Sequence, residues 1–445
     1  MSLGVDVNAG FEAVPGSKTR SSHKLFSREN ALAFFLVTGL FFLWGIPNNL
    51  NDVLIRQFMK SFEITRFKAG LVQSAFYTGY FLFSMPAALV MRRFGYKTGL
   101  VTGLLLYVAG TFLFWPAAVI ANYYLFLLAL FVIASGLGFL ETGANPFIAQ
   151  LGDPESSERR LNFSQAFNPL GSIAGVLIGT AFIFSGVEHS SQDIAALKLA
   201  GTYETYMRQE TMRVIMPYLV LGIVVLFWTF LIIRTKLPEH AVEAPSTHEA
   251  RKGKFADVFK YPHFTKAVFT QFCYVGAQVG TWSYFIQYVQ DYTHQPEKVA
   301  GYFLTGTLAA FALGRFASTY LMNFIAPRIL MGVFGIINIV LVGIGILLPG
   351  WVGLWSIFLT SFFMSLMFPT IFALGLKDLG PNTKLGGSMI VMAIIGGAVF
   401  TPVMGLVFEA SKSMAVAMCV PLACYVVVTY YAFIGAKVRV PVQPA

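Results

Sequence analysis

The feature that most limits how this chain can fold is a series of long apolar stretches that recurs along nearly its whole length. A membrane-spanning α-helix needs about 20 consecutive, mainly apolar residues, and many runs here reach that length between short polar segments. Hydrophobic residues make up 56% of the chain and charged residues only 12%, whereas a soluble protein carries about 25% charged residues. These features exclude a soluble globular enzyme, a disordered chain and a nucleic-acid-binding protein. They predict an integral membrane protein embedded in a lipid bilayer.

The apolar runs predict an all-α membrane protein with twelve transmembrane helices. Several runs exceed 20 residues, which implies helix tilt or ends that project beyond the hydrocarbon core. The predicted helices span 30–59, 66–91, 97–116, 121–149, 161–186, 213–234, 263–291, 298–321, 328–349, 353–376, 384–409 and 413–436.

A polar segment at 235–262 divides these helices into two sets of six and has the mixed charge typical of a tether. A weak internal repeat supports the division, because a shift of 226 residues aligns Gly171 with Gly397 and Gly179 with Gly405. Parallel six-helix repeats are typical of the major facilitator fold, with a site between the halves near the midplane. The predicted organisation is an N-terminal tail 1–29, a six-helix bundle 30–234, a linker 235–262, a second bundle 263–436 and a tail 437–445.

The distribution of Lys and Arg predicts the orientation in the membrane. With the N-terminus inside, cytoplasmic segments hold 20 of these residues and the opposite side holds 8. The positive-inside rule therefore places both termini in the cytoplasm, as an even number of spans requires. The first 29 residues are polar, so no cleavable signal is evident. We expect a multi-pass protein of the cell (inner) membrane that is a monomer.

Residues for cofactor binding or catalysis are scarce. The three cysteines, Cys273, Cys419 and Cys424, lie in apolar stretches without a metal-ligand spacing. All six histidines lie in loops or at helix ends, and no phosphate-binding loop or nucleophile motif is present. We therefore predict no cofactor, no metal and no enzymatic activity.

Two carboxylates stand out, because of 21 Asp and Glu residues only Asp52 and Glu141 lie well inside predicted helices. A charged residue there is costly and usually faces a cavity, a proton path or a partner. Burial raises the pKa of a carboxyl group, which suits a proton carrier. The alternative is a packing ion pair, and Arg56 lies four residues after Asp52 on one helix face. Glu141 has no such neighbour, so we expect Glu141 to be the proton site and Asp52 to accept substrate hydroxyls.

Amide and aromatic residues surround these two positions. Amides both donate and accept hydrogen bonds, which suits a neutral polyhydroxylated ligand, and aromatic faces suit a sugar ring. The alternatives are interhelical hydrogen bonding and packing. The candidate binding residues, besides the two carboxylates, are Asn49, Asn145, Asn162, Gln165, Gln278, Trp282 and Tyr284.

A set of segments spread through the chain, from about residue 34 to 410, resembles the fucose:proton symporter family of the major facilitator superfamily. Short pieces of this set are unspecific alone, but their order is highly specific. The segments are NNLND (48–52), QSAFYTGYF (73–81), GLGFLETGANPF (136–147), LNFSQAFNPLG (161–171), QFCYVGAQVGTWSY (271–284), GRF (314–316), PTIFALGLKDLG (369–380) and GGSMIVMAIIGGAVFTPVMG (386–405).

The resemblance implies that Asp52 and Glu141 are the family's two membrane carboxylates, which serve sugar recognition and proton coupling. It also implies that Asn49 and Gln165 contact the sugar. Glucose/galactose members tend to carry Gln at the position of Glu141, so the fucose branch is favoured. This chain departs from the family at Arg56, where relatives tend to have Pro, and at Pro47, where a small residue is expected.

We therefore expect a proton-coupled symporter that takes up a monosaccharide, with L-fucose as the first candidate, by alternating access. A sodium-coupled or uncoupled carrier of another hexose, such as glucose, galactose or an amino sugar, is one alternative. A non-transporting sugar receptor belongs to a different class and would bind without flux. A drug exporter would not need the amide set, and a membrane enzyme lacks catalytic groups.

Overall fold

The computed structural model describes residues 30–151, 160, 163–187, 189, 191–238, 259–322, 324–377, 379 and 383–436. Within these ranges the secondary structure is helical throughout, with no strand. Eleven helices among the described residues are long and apolar enough to cross a membrane. A further helix of 32 residues, Pro262–Thr293, is long enough. The predicted tails and most of the predicted linker 235–262 lie outside the described residues.

Six of the long helices precede residue 239. They are α1 (Ala31–Phe62), α2 (Arg66–Met91), α3 (Arg93–Val119), α4 (Tyr123–Gln150), α5 (Phe163–Ile183) and α6 (Tyr203–Arg234). The other six follow residue 258. They are α7 (Pro262–Thr293), α8 (Glu297–Leu321), α9 (Pro327–Leu347), α10 (Trp351–Leu376), α11 (Met389–Ser411) and α12 (Met414–Gly435).

Helix α7 is less apolar than the others because it runs through the middle of the molecule. Its buried residues include Gln271, Ser283 and Gln287, all fully or almost fully shielded from solvent. A polar helix is stable inside a membrane protein when its polar groups face other helices or a cavity. The polar residues of α7 therefore indicate that this helix lies in the centre of the protein and not against lipid.

The observed boundaries differ most from the predicted ones in the segment before residue 213. The segment 187–212, which lies between the predicted helices 161–186 and 213–234, contains the helix Ser191–Leu199 and the helix Tyr203–Met212, which forms the beginning of α6. Helices α2 and α3 form one helical segment that bends at Gly95, whose φ of 84° favours glycine. The prediction missed the short polar helices because they give little hydropathy signal, whereas the break predicted between residues 91 and 97 contains the bend at Gly95.

Two prolines inside helices are compensated by hydroxyl groups from neighbouring helices. Pro47 in α1 has no N–H to donate to the carbonyl of Leu43, and the Tyr107 hydroxyl donates to that carbonyl at 2.9 Å. Pro402 in α11 likewise frees the carbonyl of Ala398, which accepts a 2.6 Å hydrogen bond from Ser74 of α2. Membrane helices tolerate proline when a neighbour satisfies the freed carbonyl in this way.

Helices α1 and α5 approach each other closely at small residues. A Cβ atom on Gly171 would collide with the backbone carbonyl of Phe42, and a Cβ on Gly45 would collide with that of Asn168. Glycine therefore permits the backbone-to-backbone contact that is typical of membrane helix pairs. This contact holds the first turns of α5 against the polar middle of α1.

The two halves meet along α1, α2 and α5 of the first half and α7, α8 and α11 of the second. We call the membrane face at which α1 begins the N-terminal face, and the other the opposite face. The cross-half bonds that the structure gives cluster toward the opposite face, while the halves separate toward the N-terminal face around a cavity. The arrangement is the major facilitator fold of two pseudo-symmetric six-helix bundles, as predicted.

Candidate functional site

A cavity of about 680 Å³ lies between the two halves. It extends to Thr319, Pro327 and Lys377, which are exposed residues at helix ends on the N-terminal face. This volume falls within the range of about 300–1,000 Å³ typical of small-molecule sites. The cavity therefore admits a small solute from the N-terminal face.

Both halves line this cavity, and the polar lining residues are unevenly shared between them. The first half contributes most of the amide groups and one carboxylate, whereas the second contributes mainly apolar residues with one amide and two cations. Polar and charged side chains that line the cavity include Asn48, Asn49, Glu141, Asn145, Gln165, Asn168, Gln278 and Arg315.

The carboxylate in the cavity belongs to Glu141 of α4. Its side chain is partly buried and lines the cavity. Within the described parts of the chain, this carboxylate forms no hydrogen bond or ion pair. An ionisable group in that position is available to a solute or a proton that enters the cavity.

A short chain of amides continues from Glu141 to the next helix. Asn145 Nδ2 donates to the backbone oxygen of Glu141 at 3.0 Å, and Gln165 Nε2 donates to Asn145 Oδ1 at 3.2 Å. These two hydrogen bonds fix the orientation of both amide groups, because Asn145 is held through its Nδ2 and its Oδ1 and Gln165 through its Nε2. Other donors and acceptors on these amides stay available to a ligand.

Aromatic rings form the remaining wall of the cavity. Trp282 of α7 is fixed by a 3.0 Å hydrogen bond from its Nε1 to Ser361 Oγ and by an edge-to-face contact with Phe311. On the other side, Tyr77 and Tyr80 stack at 6.3 Å between ring centroids. A sugar ring has an apolar face and polar hydroxyl groups. Aromatic rings can pack against the apolar face, and the amides beside them can form hydrogen bonds to the hydroxyls.

Asp52 lies behind this wall and does not line the cavity in this conformation. Its Oδ2 accepts from Asn49 Nδ2 at 3.1 Å, and its Oδ1 accepts from Gln73 Nε2 at 2.8 Å and from Ser283 Oγ at 2.9 Å. Asp52 is 2% exposed. Among described residues these three supply its hydrogen bonds, and the alternative of an ion pair between Asp52 and Arg56 is not formed in this conformation.

Ionic and polar contacts close the opposite face above Asp52. Arg66 of α2 forms two hydrogen bonds to the Asp291 carboxylate of α7, at 2.7 and 2.9 Å. Lys60 Nζ lies 3.3 Å from both Glu210 Oε2 and Glu297 Oε1, which joins α1 and α6 to α8. The Phe67 N–H donates to Glu409 of α11 at 3.1 Å. The structure is therefore open to the N-terminal face and closed to the opposite face.

Comparison with known proteins gives the same assignment as the fold. A Major Facilitator Superfamily profile matches residues 31–401. The chain is 43% identical over 411 residues to the L-fucose-proton symporter of Escherichia coli (strain K12), covering 91% of this chain and 93% of that protein. It is 30% identical over 436 residues to the glucose/galactose transporter of Brucella abortus biovar 1 (strain 9-941), with coverage of 96% and 99%.

The chain belongs to the fucose:proton symporter family of the major facilitator superfamily. The resemblance found in the sequence is thereby confirmed. The prediction that the protein is a multi-pass membrane transporter and not an enzyme is confirmed as well. A crystal structure of the transporter FucP in the outward conformation superposes with a TM-score of 0.68 at 43% identity, covering 91% of this chain and 99% of that one. A bacterial Spinster homologue in an inward-facing conformation gives 0.69 at 14% identity, covering 92% and 97%, and shows the fold alone.

Most of the binding residues expected from the sequence of this family member line the cavity. Those that do are Asn49, Glu141, Asn145, Gln165, Gln278 and Trp282. Tyr284 lies away from the cavity, where its hydroxyl donates to the backbone oxygen of Arg66 at 2.7 Å and so belongs to the closed face. Asn162 lies outside the described residues. Their roles in binding stay predictions.

Arg315 of α8 also lines the cavity, although it is not among the residues predicted from the sequence. Its guanidinium lies 5.0 Å from the centre of the Phe311 ring, and its Nε has no hydrogen-bond partner in the described ranges. The available signal was an arginine inside the predicted helix 298–321, where a cation is costly. The cavity is thus lined by a carboxylate from the first half and by two cations, Arg315 and Lys377, from the second.

Proposed function

We propose that this protein is a proton-coupled symporter of a monosaccharide, with L-fucose as the first candidate substrate. The observation that carries the proposal is a carboxylate, Glu141, that faces a cavity between the halves and is surrounded by amides and aromatic rings. Sequence identity to L-fucose-proton symporters supports the choice of sugar and of coupling ion. The proton and the sugar are thus the proposed partners of the cavity.

The proposed cycle assigns different roles to the two carboxylates. Protonation of Glu141 permits sugar binding while the cavity faces outward. Asp52, Asn49 and Gln165 then form hydrogen bonds with the hydroxyl groups of the sugar. The bundles then rock about the central site. Sugar leaves to the inside and Glu141 loses its proton there. Coupling requires that protonation changes sugar affinity and that sugar changes proton affinity equally.

The orientation, domain limits and location are part of the same proposal. We place the N-terminal face in the cytoplasm because Lys and Arg are concentrated on that side. We also place both tails there, and we assign the bundles to residues 30–234 and 263–436. The protein would act as a monomer in the cell (inner) membrane. The open cavity would then correspond to an inward-facing state.

The decisive experiment is uptake of radiolabelled L-fucose by proteoliposomes with and without an inward proton gradient. Accumulation that needs the gradient and collapses with a protonophore is the expected result. Counterflow of L-fucose without accumulation would contradict proton coupling. Sodium-dependent uptake would favour the sodium-coupled alternative.

Glucose or galactose is the second candidate substrate, because relatives at 30–33% identity are named glucose/galactose transporters. Competition separates the two candidates. Inhibition of uptake by unlabelled L-fucose but not by glucose or galactose is expected. The reverse pattern would move the substrate and direct attention to Pro47 and Arg56, which lie on α1 near Asp52. Binding of a sugar without flux would instead indicate a receptor.

A further inference from the structure

Ser283 occupies a position on the second half that places its hydroxyl against a carboxylate of the first half. Ser283 Oγ lies 2.9 Å from Asp52 Oδ1, although the two residues belong to α7 and α1. Ser283 is fully buried and Asp52 almost so. The contact exists because the halves are pressed together toward the opposite face.

Gln73 completes a closed three-membered set with these residues. Its Nε2 donates both to Asp52 Oδ1 at 2.8 Å and to Ser283 Oγ at 2.9 Å. Gln73 lies on α2, so it moves with Asp52 and not with Ser283 when the halves rock. Of the donors to Asp52 in the described structure, Ser283 is therefore the one that the second half brings.

Asn49 connects this set to the cavity. It lines the cavity and also donates to Asp52 Oδ2 at 3.1 Å. Only Asn49 therefore separates Asp52 from the cavity in the described structure. Asp52 lies on the side of the cavity nearer the opposite face. Separation of α7 from α1 would remove the Ser283 hydroxyl and leave Asp52 Oδ1 with one donor fewer.

We propose that the Ser283 hydroxyl is a built-in competitor of the sugar at Asp52: it replaces a sugar hydroxyl as hydrogen-bond donor when the opposite face closes. The inference rests on the proposed sugar-binding role of Asp52. When the opposite face closes, the Ser283 hydroxyl donates to the Asp52 carboxylate in place of the sugar, and the sugar is released into the cavity. Opening withdraws Ser283 and restores an acceptor for the next sugar molecule.

The energetic reason is that a buried carboxylate is unstable without donors. A hydrogen bond to a charged group contributes substantially more than one between neutral groups. Ser283 therefore stabilises the state in which the opposite face is closed, and its loss favours the open state. Losing one hydrogen bond to a charged group should therefore change the ratio of the open to the closed state by at least about tenfold.

The first test needs no sugar. Spin labels on Lys68→Cys and Ala410→Cys, which are exposed on the opposite face in different halves, report its opening by pulsed dipolar distance measurement. The exposed Cys419 is replaced by serine in this background. Ser283→Ala is expected to raise the ratio of open to closed protein about tenfold. Unchanged distances in Ser283→Ala would overturn the proposal.

Thr281→Ala is the matched control, because Thr281 is equally buried on the same helix and its hydroxyl has no partner among the residues the structure describes. It is expected to leave the distances unchanged. Ser283→Thr keeps a hydroxyl and is expected to restore the closed state. Equal shifts in Ser283→Ala and Thr281→Ala would mean a general packing effect and would also overturn the proposal.

The second test adds L-fucose and measures binding affinity for the same variants. Removing the competitor increases the fraction of binding-competent protein, so Ser283→Ala is expected to bind L-fucose up to about tenfold more tightly. Unchanged or weaker binding in Ser283→Ala would contradict the competitor role. If no variant binds L-fucose, the proposed substrate fails, while the sugar-free distances still decide whether Ser283 holds the face closed.

Discussion

Arg66 and Asp291 form a bidentate ion pair that joins the two halves of the protein at the opposite face. The guanidinium of Arg66 donates to both carboxylate oxygens, at 2.7 and 2.9 Å. It also lies 3.7 Å from the centre of the Phe408 ring on α11. One side chain of α2 is thereby held by two helices of the other half, which is the arrangement expected of a gate.

Loss of this ion pair should favour opening of the opposite face. The Arg66 and Asp291 side chains are 12% and 30% exposed, and such pairs contribute up to about 1 kcal/mol because water and salt screen them. Arg66→Ala or Asp291→Ala should therefore raise the open fraction by up to about fivefold. The label pair at 68 and 410 measures this shift. The exchanged pair Arg66→Asp with Asp291→Arg should recover part of the closed state, and no recovery would argue against a direct ionic contribution.

Replacing Glu141 by glutamine should separate accumulation from exchange. Gln keeps the shape and hydrogen-bonding ability of a protonated carboxyl group but cannot release a proton. Glu141→Gln should therefore abolish accumulation driven by a proton gradient while L-fucose counterflow continues. Proteoliposome assays of both activities check this.

The matched control for this variant is Glu63→Gln. Glu63 is an exposed carboxylate at the end of α1 that accepts from the Tyr203 hydroxyl at 2.5 Å and lies outside the cavity. It should leave both activities unchanged. Full accumulation in Glu141→Gln would remove this residue from proton coupling, whatever the control shows.

The Tyr107 hydroxyl should stabilise the protein because it satisfies the carbonyl that Pro47 frees in α1. Tyr107→Phe leaves that buried carbonyl without a donor and should lower the free energy of unfolding by about 1–3 kcal/mol. Thermal unfolding in detergent measures the loss. Tyr218→Phe is the control, because Tyr218 is equally buried and its hydroxyl has no partner in the described ranges.

A second substitution tests the cause of this loss. In Pro47→Ala the helix regains its own N–H donor to the carbonyl of Leu43, so adding Tyr107→Phe should cost much less there. An equal cost with proline or alanine at position 47 would mean that Tyr107 stabilises the fold through ring packing instead.

Much of the fold could be predicted from the sequence because one physical requirement governs it. Each span needs about 20 apolar residues, so hydropathy located the helices to within a few residues, except at the start of α6. The position of Glu141 was equally accessible, since a carboxylate in an apolar helix must face a cavity or a partner. The structure places it in the cavity.

The environment of Asp52 could not be predicted from local patterns. The i,i+4 spacing indicated Arg56, but the donors Gln73 and Ser283 come from α2 and α7, 21 and 231 residues away along the chain. Packing between the halves selects these partners, and it depends on the conformation. For the same reason the sequence did not indicate that Tyr284 lies at the closed interface in this conformation, where its hydroxyl donates to the backbone oxygen of Arg66.

The Ser74 hydroxyl provides a last test of how the halves are held together. It donates across the interface to the carbonyl of Ala398, which is free to accept because Pro402 lacks an N–H. Ser74→Ala should therefore favour opening of the opposite face, by about fivefold for a neutral hydrogen bond of about 1 kcal/mol. The label pair at 68 and 410 reports the change.

Two further variants separate this cross-half bond from a general effect on α2. Ser84→Ala removes a hydroxyl of the same helix that donates at 2.6 Å within its own half, to the carbonyl of Tyr80, and should not change the label distances. In Pro402→Ala the Ala398 carbonyl regains its helical donor, so the effect of Ser74→Ala should shrink. An undiminished effect in that background would show that the freed carbonyl is not what Ser74 recognises. A diminished one would mean that a proline in one half creates the acceptor by which the other half closes.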